Sequence, residues 1–367
     1  MSSMNLNAFF SDSYADARQK FLAACEARGA PVISYPHPLR GAEGEALFTD
    51  VARIGPEHAD RVLVVESALH GVEGYTGSAI QIAALASSNA PQPPEGVALL
   101  LVHAINPWGF SWNRRFNEDN IDLNRHFLNW ENPGKLDNPG YDDLASALVP
   151  REITPEAMAE ADAVMERYKE THGKEVFRTA IKRGQYKHPD GLFYGGLKPS
   201  WSALTVERIA KEHLSEATWA GLIDIHTGLG PFGVGECLSG EAPDSDEGRR
   251  ASSWYGHVAH TKSPKTDYAG SEASILDGYK RAAPWLVWTP VGLEFGTREE
   301  KVVRDAVRMD GWLHLYGSPE HPLSGKVKKN MLYAYYPAEP EWRAAIVERG
   351  LEVVRLGLAG LAAQERA

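Results

Sequence analysis

Cysteine is almost absent. Cys25 and Cys237 are the only two among 367 residues, and neither belongs to a CxxC pair. That excludes a disulfide framework, and the two read as reduced thiols in a cytoplasmic protein. No run approaches the ~20 apolar residues that cross a bilayer, which argues against a membrane partner. Positive charge is not in excess either: a net charge of −11 and a pI near 5.7 argue against nucleic acid. There is no internal repeat, no low-complexity linker and no Gly-x-Ser-x-Gly elbow, so a serine hydrolase is a poor reading. The first thirty residues lack a basic stretch followed by an apolar one. They interleave Phe9, Phe10, Tyr14, Phe21 and Leu22 with Asp12, Asp16, Arg18 and Lys20, the pattern of an amphipathic helix rather than a signal peptide.

What is present can build a large core, since 43% of the residues are hydrophobic. Length alone permits one to three domains, but the polar motifs below are spread widely and must converge, so one catalytic domain spanning 1–367 is expected. Ten tryptophans and fourteen tyrosines, several near those motifs, fit either a walled pocket or core packing. After Ala30 to Ile54, read as extended segments and turns, elements alternate. Strand Arg61–Glu66 is followed by a helix over Gly74–Ser88, then strands over Val97–Ala104, Gly221–Ile225 and Trp285–Phe295 and a helix over Glu299–Tyr316. Further helices are expected over Ala157–Glu170, with Thr154 as N-cap, over Thr205–Thr218 and over Glu341–Ala363. The last carries the stripe Trp342, Ile346, Leu351, Val354, Leu358 and Leu361. Val-rich strands alternating with helices predict an α/β fold with a mixed, mostly parallel central sheet flanked by helices. Sites in such sheets gather at the carboxyl ends of strands.

Four polar motifs sit at such ends. His70-Gly71-Val72-Glu73 follows the first strand, and an imidazole and a carboxylate three residues apart are a ligand pair suited to Zn²⁺; alone, the pattern is weak and more often a solvated loop. Asn106-Pro107-Trp108-Gly109-Phe110 follows the second strand and leads through Asn113-Arg114-Arg115 to Asp122-Leu123-Asn124-Arg125. So much Asn, Asp and Arg is either a surface loop or a pre-built network holding arginines toward an anion. Leu222-Ile223-Asp224-Ile225-His226-Thr227-Gly228 ends an apolar strand in a histidine and a Thr-Gly turn. Asp224 has the parity of His226 and reads as structural or as a support to it. Val291-Gly292-Leu293-Glu294-Phe295 places a glutamate between Leu and Phe, where burial would raise its pKa and suit it to proton transfer; a solvent-facing strand residue is the alternative.

In this order the motifs resemble the zinc carboxypeptidase superfamily over nearly the whole chain. His70-Gly71-Val72-Glu73 and Asp122-Leu123-Asn124-Arg125 look closer to aspartoacylase and succinylglutamate desuccinylase, Asn106-Pro107-Trp108-Gly109-Phe110 closer to carboxypeptidases, and the overall wording resembles an uncharacterised bacterial branch. The resemblance implies a zinc carboxypeptidase-like fold and one Zn²⁺ per chain, held by His70, Glu73 and His226. It implies that Glu294 takes the proton of the zinc-bound water, that Arg115, or else Arg114, polarises the scissile carbonyl, and that Asn124 and Arg125 grip a substrate carboxylate, the arginine by a bidentate fork. Val72 stands where carboxypeptidases carry an arginine. For their mobile tyrosine, Tyr268 is the substrate-binding candidate and Tyr279 the other, with packing as the alternative for both. The implied activity is a zinc metallohydrolase, a carboxypeptidase or amidohydrolase, cutting an amide or peptide bond next to a free carboxylate, in a small molecule or a peptide. The segment 131–200 is a possible cap over the pocket. A catalytically silent metal- or ligand-binding protein of the same fold is the competing reading, against which Glu294 speaks. The oligomeric state is left open.

Overall fold

The computed structural model describes residues 6–134, 136–261 and 273–365. Its centre is an eight-stranded sheet: β1 (Val32–Arg40), β2 (Ala46–Ile54), β3 (Arg61–Glu66), β4 (Val97–His103), β5 (Trp219–Phe232), β6 (Gly235–Ser239), β7 (Val258–His260) and β8 (Val287–Gly296), in the order β1-β2-β4-β3-β5-β8-β6-β7. The four middle strands, β4, β3, β5 and β8, run parallel. β2 flanks them antiparallel at one side with β1 antiparallel beyond it, and β6 flanks them antiparallel at the other. The mixed, mostly parallel α/β sheet expected from the Val-rich strands is therefore present. Every residue of β3 and β4 is buried, which explains why they read as unbroken apolar runs rather than alternating ones.

The alternation instead divides two cores. Leu63 and Val65 join the cluster under the helices Tyr14–Arg28, Gly74–Ala86, Asp246–Tyr255 and Pro340–Ala362, where the expected stripe from Trp342 to Leu361 is buried. Val62 and Val64 point the opposite way, into the cluster under Trp201–His213 and Ile275–Ala282. A third cluster is separate from both. The segment 131–200 folds into four helices, Pro139–Asp142, Ala145–Leu148, Pro155–His172 and Lys174–Lys182, whose apolar side chains pack against Glu300–Tyr316 and Ser324–Tyr335. Thr154 caps Pro155–His172 as expected, its side chain accepting from the Ala157 N–H.

Two elements depart furthest from the bounds expected from the sequence, the others by no more than about two residues. The helix expected over Thr205–Thr218 spans Trp201–His213, because Ser200 caps it by accepting from the Ala203 N–H, and the main chain of Thr218 and Trp219 turns to bond the Asp60 carbonyl at the start of β5. β5 extends well past Ile225 to Phe232, pairing with β8 through an irregularity after Thr227.

Candidate functional site

The carboxyl ends of β3, β4, β5 and β8 bring the four motifs together. Beyond β3, Ala68 adopts φ 59°, a conformation rare for a residue with a Cβ, held by the Asn106 N–H donating to the Ala68 carbonyl at 2.9 Å. This bend delivers His70 and the short turn Gly71–Glu73, which leads into Gly74–Ala86. Gly71 has to be glycine: a Cβ there would lie 2.0 Å from the Gly109 carbonyl carbon, so the turn packs backbone to backbone on the helix Pro107–Ser111. The Gly71 and Val72 N–H groups donate to the Arg115 and Arg114 carbonyls at 3.2 and 2.8 Å, fixing the turn to the Asn/Arg segment. From the other side, His226 of β5 lies directly beside Glu294 of β8 in the parallel register.

His70, Glu73 and His226 are buried, and their donor atoms lie within 4.8 Å of one another. Glu73 stands between the imidazoles, with Oε1 3.0 Å from His70 Nδ1 and Oε2 3.0 Å from His226 Nδ1. Each far nitrogen is taken by a carboxylate: His70 Nε2 lies 3.1 Å from Asp122 Oδ1, and His226 Nε2 lies 2.5 Å from Asp224 Oδ2. Both Nδ1 atoms are thus turned toward one point, each 3.0 Å from a Glu73 oxygen. Two imidazoles oriented by carboxylates, plus a third carboxylate, suit a metal ion of the zinc type. Asp224 supports His226, one of the two roles its parity allowed. Asp122 had no assigned role, since nothing local in the sequence tells that it reaches back to His70.

The charges follow from this packing. Burial opposes ionisation of Glu73, yet His70, His226 and Arg115 outweigh it and hold the carboxyl below its ordinary range. Burial likewise works against charge on His226, but Asp224 and Glu73 push its pKa well above the usual value. Behind Asp224, Glu66 of β3 faces it in register with no exposure, and burial followed by the Asp224 charge keeps its carboxyl far above the usual range. Glu294 is 7% exposed, so it is no solvent-facing strand residue, and burial raises its pKa to about 7 against the opposing pull of His226. Its Oε1 accepts from the Leu229 N–H at 2.9 Å.

These groups open on a cavity of about 230 Å³, lined also by Arg115, Asn124, Arg125 and Tyr335. The segment 131–200 walls one side of it through Leu148, Phe177, Ile181 and Leu192. The Asn/Arg run is a network, not a surface loop. Asn117 and Asp122 have no exposure, Asn117 Oδ1 accepts from the Asp119 and Ile121 N–H groups, and Asn120 Nδ2 donates to the Pro189 and Gly191 carbonyls. Of the two adjacent arginines, Arg115 faces the cavity and bonds Glu73 at 2.8 Å and Asp122 at 3.2 Å. Arg114 is buried on the other side, 2.9 Å from Asp310, and does not line the cavity. Arg125 gives its Nε–H to the Lys182 carbonyl and one Nη1–H to the Asn124 carbonyl, both at 2.7 Å; its other three N–H groups have no hydrogen-bond acceptor among the described residues. Asn124 Oδ1 is buried without a hydrogen-bond partner among the described residues.

Tyr268 lies outside the described residues. Tyr279 has no exposure and packs against Trp288, a core residue. Among the described residues the cavity is lined by Tyr335, which follows Glu294 in the chain and stands in no motif that marks it in the sequence.

The chain belongs to DUF2817, a family described as proteins of unknown function, whose profile matches residues 10–349. No curated protein matches it in sequence. Among solved structures it is similar to a carboxypeptidase A from Helicoverpa armigera, at 14% identity and a TM-score of 0.46, over 89% of this chain and 74% of that one. It is also similar to a succinylglutamate desuccinylase from Silicibacter, at 13% identity and a TM-score of 0.39, over 78% and 65% of the two chains. A third is an aspartoacylase family protein from Mesorhizobium loti, at 14% identity and a TM-score of 0.34, over 78% and 67%.

Proposed function

We propose that this chain, acting as one catalytic domain, is a zinc-dependent hydrolase of an amide or peptide bond next to a free carboxylate. The observation that carries the reading is the convergence of His70 Nδ1, Glu73 and His226 Nδ1 around one point, with Glu294 in register beside His226. Zinc held there would supply a Lewis acid that polarises the carbonyl and lowers the pKa of a water. Glu294, buried and with its pKa raised toward neutrality, takes a proton from the attacking water and returns it to the leaving amine. Arg115, anchored by Glu73 and Asp122, places a fixed positive charge at the cavity wall where an oxyanion develops. Asn124 and Arg125 hold the substrate carboxylate, with three guanidinium N–H groups available to it. A silent binding protein of the same fold is disfavoured, since metal or ligand binding alone does not call for a buried carboxyl with a raised pKa beside the donor cluster.

Metal analysis of the purified protein, followed by a screen of C-terminal dipeptides and N-acyl amino acids, tests the reading. A chain that takes up no zinc and cleaves none of them refutes it. The two arginines then give separable outcomes. Arg125→Ala raises KM about 30- to 1000-fold, the roughly 2–4 kcal/mol of a charged fork in a dry pocket, and the loss disappears with a substrate whose carboxylate is amidated. Arg115→Ala lowers kcat with little change in KM, because its charge meets the oxyanion only as it forms. Equal KM effects in both variants would make Arg115 a binding residue.

A further inference from the structure

The hydrolytic reading gives no part to the phenol of Tyr335, a polar group at the cavity. Tyr335 closes the helix Ser324–Tyr335, is 2% exposed and lines the cavity. The residues after His226 are shaped to hold it. Thr227 Oγ1 donates to the Tyr335 carbonyl at 2.9 Å, while the Thr227 N–H donates to Glu73 Oε2 at 3.1 Å, so one residue ties the tyrosine to the donor cluster. Gly228 adopts φ +130°, and a Cβ there would lie 3.0 Å from Tyr335 Cε1, so the ring lies close against bare main chain. The Thr-Gly turn is thereby given a role that its position in the sequence did not suggest. The Arg115 guanidinium and the Glu73 and Glu294 carboxyls lie near enough to the phenol to act on its charge. A phenol is protonated near neutrality, so it can serve there as a neutral donor.

We propose that Tyr335 is a further catalytic residue of the hydrolytic site, donating its phenol O–H, beside Arg115, to the carbonyl oxygen as that oxygen gains negative charge. This assignment rests on the hydrolase reading above. A neutral donor here adds to the guanidinium without the cost of bringing a second cation into a site that already gathers Arg115 and the metal position. A phenylalanine would keep the ring against Gly228 and remove only the hydrogen bond.

The test compares zinc-loaded wild type, Tyr335→Phe, Arg115→Ala and the double variant. It reads zinc per chain, kcat and KM on a substrate the wild type hydrolyses, and calorimetric affinity for a phosphinic pseudodipeptide with a free carboxylate. Tyr335→Phe is expected to keep its zinc and hold KM within about threefold. Its kcat and its phosphinate affinity should both fall roughly 100-fold, the scale of one lost oxyanion donor. The same substitution in the Arg115→Ala background should cost a further tenfold or more, as for a residue that touches the oxyanion itself. A Tyr335→Phe enzyme indistinguishable from wild type, one altered only in KM, or one silent in the Arg115→Ala background overturns the assignment while leaving the hydrolase reading standing. A wild type that neither hydrolyses the panel nor binds the phosphinate overturns the hydrolase reading and this assignment with it.

Discussion

Glu294→Gln is expected to retain zinc and a near-normal KM while losing turnover by about 10²- to 10⁴-fold, the usual contribution of a positioned general base. The amide keeps the shape of the side chain and can still accept from the Leu229 N–H that holds Glu294 Oε1 at 2.9 Å. It cannot accept a proton, so only the proton-transfer steps suffer. The pH profile gives a second readout. Burial raises the carboxyl to about 7 against the downward pull of His226. A bound dication adds to that pull. The base works ionised, so in the wild type kcat/KM rises with pH through an acid limb lying below about 7, and that limb is absent from the residual activity of Glu294→Gln. A variant that keeps more than about a tenth of wild-type turnover would return Glu294 to a packing role.

His226→Ala is expected to lose most of its zinc yet remain folded, because three apolar clusters and an eight-stranded sheet do not depend on one ligand. The wild type should show a linked proton. With Glu73 on one nitrogen and Asp224 on the other, the His226 imidazole is held protonated well above its ordinary range. A metal that takes Nδ1 must displace that proton. Apparent zinc affinity therefore falls as pH falls, about tenfold per unit for one proton released, and the release is measurable by calorimetry in buffers of different ionisation enthalpy. Asp224→Asn keeps the contact but removes the charge that favours the imidazolium, so its proton release near neutrality is smaller. Full zinc occupancy in His226→Ala, or wild-type affinity independent of pH, would remove His226 from the ligand set.

The strands that carry the site could be read in the sequence because their burial is local information. Arg61–Glu66 and Val97–His103 are buried on both faces and hence apolar throughout, and a parallel sheet of such strands presents whatever follows each one at its carboxyl edge. His70, Glu73, His226 and Glu294 could be picked out for that reason: each is a polar residue at the end of, or inside, an apolar run. The helix Pro340–Ala362 was legible from its period alone. β6, β7 and the helix Ser324–Tyr335 were not, and the last brings Tyr335 to the cavity.

The types of donor and their order along the chain were determined by the sequence by itself, and so was the nature of the sheet that gathers them. Which atoms face one another was decided only by the tertiary structure. Arg114 and Arg115 are neighbours with the same side chain, yet one pairs with Asp310 in the core and the other with Glu73 at the cavity. Consecutive side chains leave an irregular backbone in different directions, and this one turns through Asn113 at φ 49° just before them. Asp122 on His70 Nε2 and Asp224 on His226 Nε2 leave both Nδ1 atoms inward, a choice made by contacts between separate segments. Tyr335 enters because Gly228 has no side chain where the ring lies. A hydrogen bond acts over about 3 Å whatever the separation along the chain, so a pairing between residues far apart in sequence leaves no periodic mark in it.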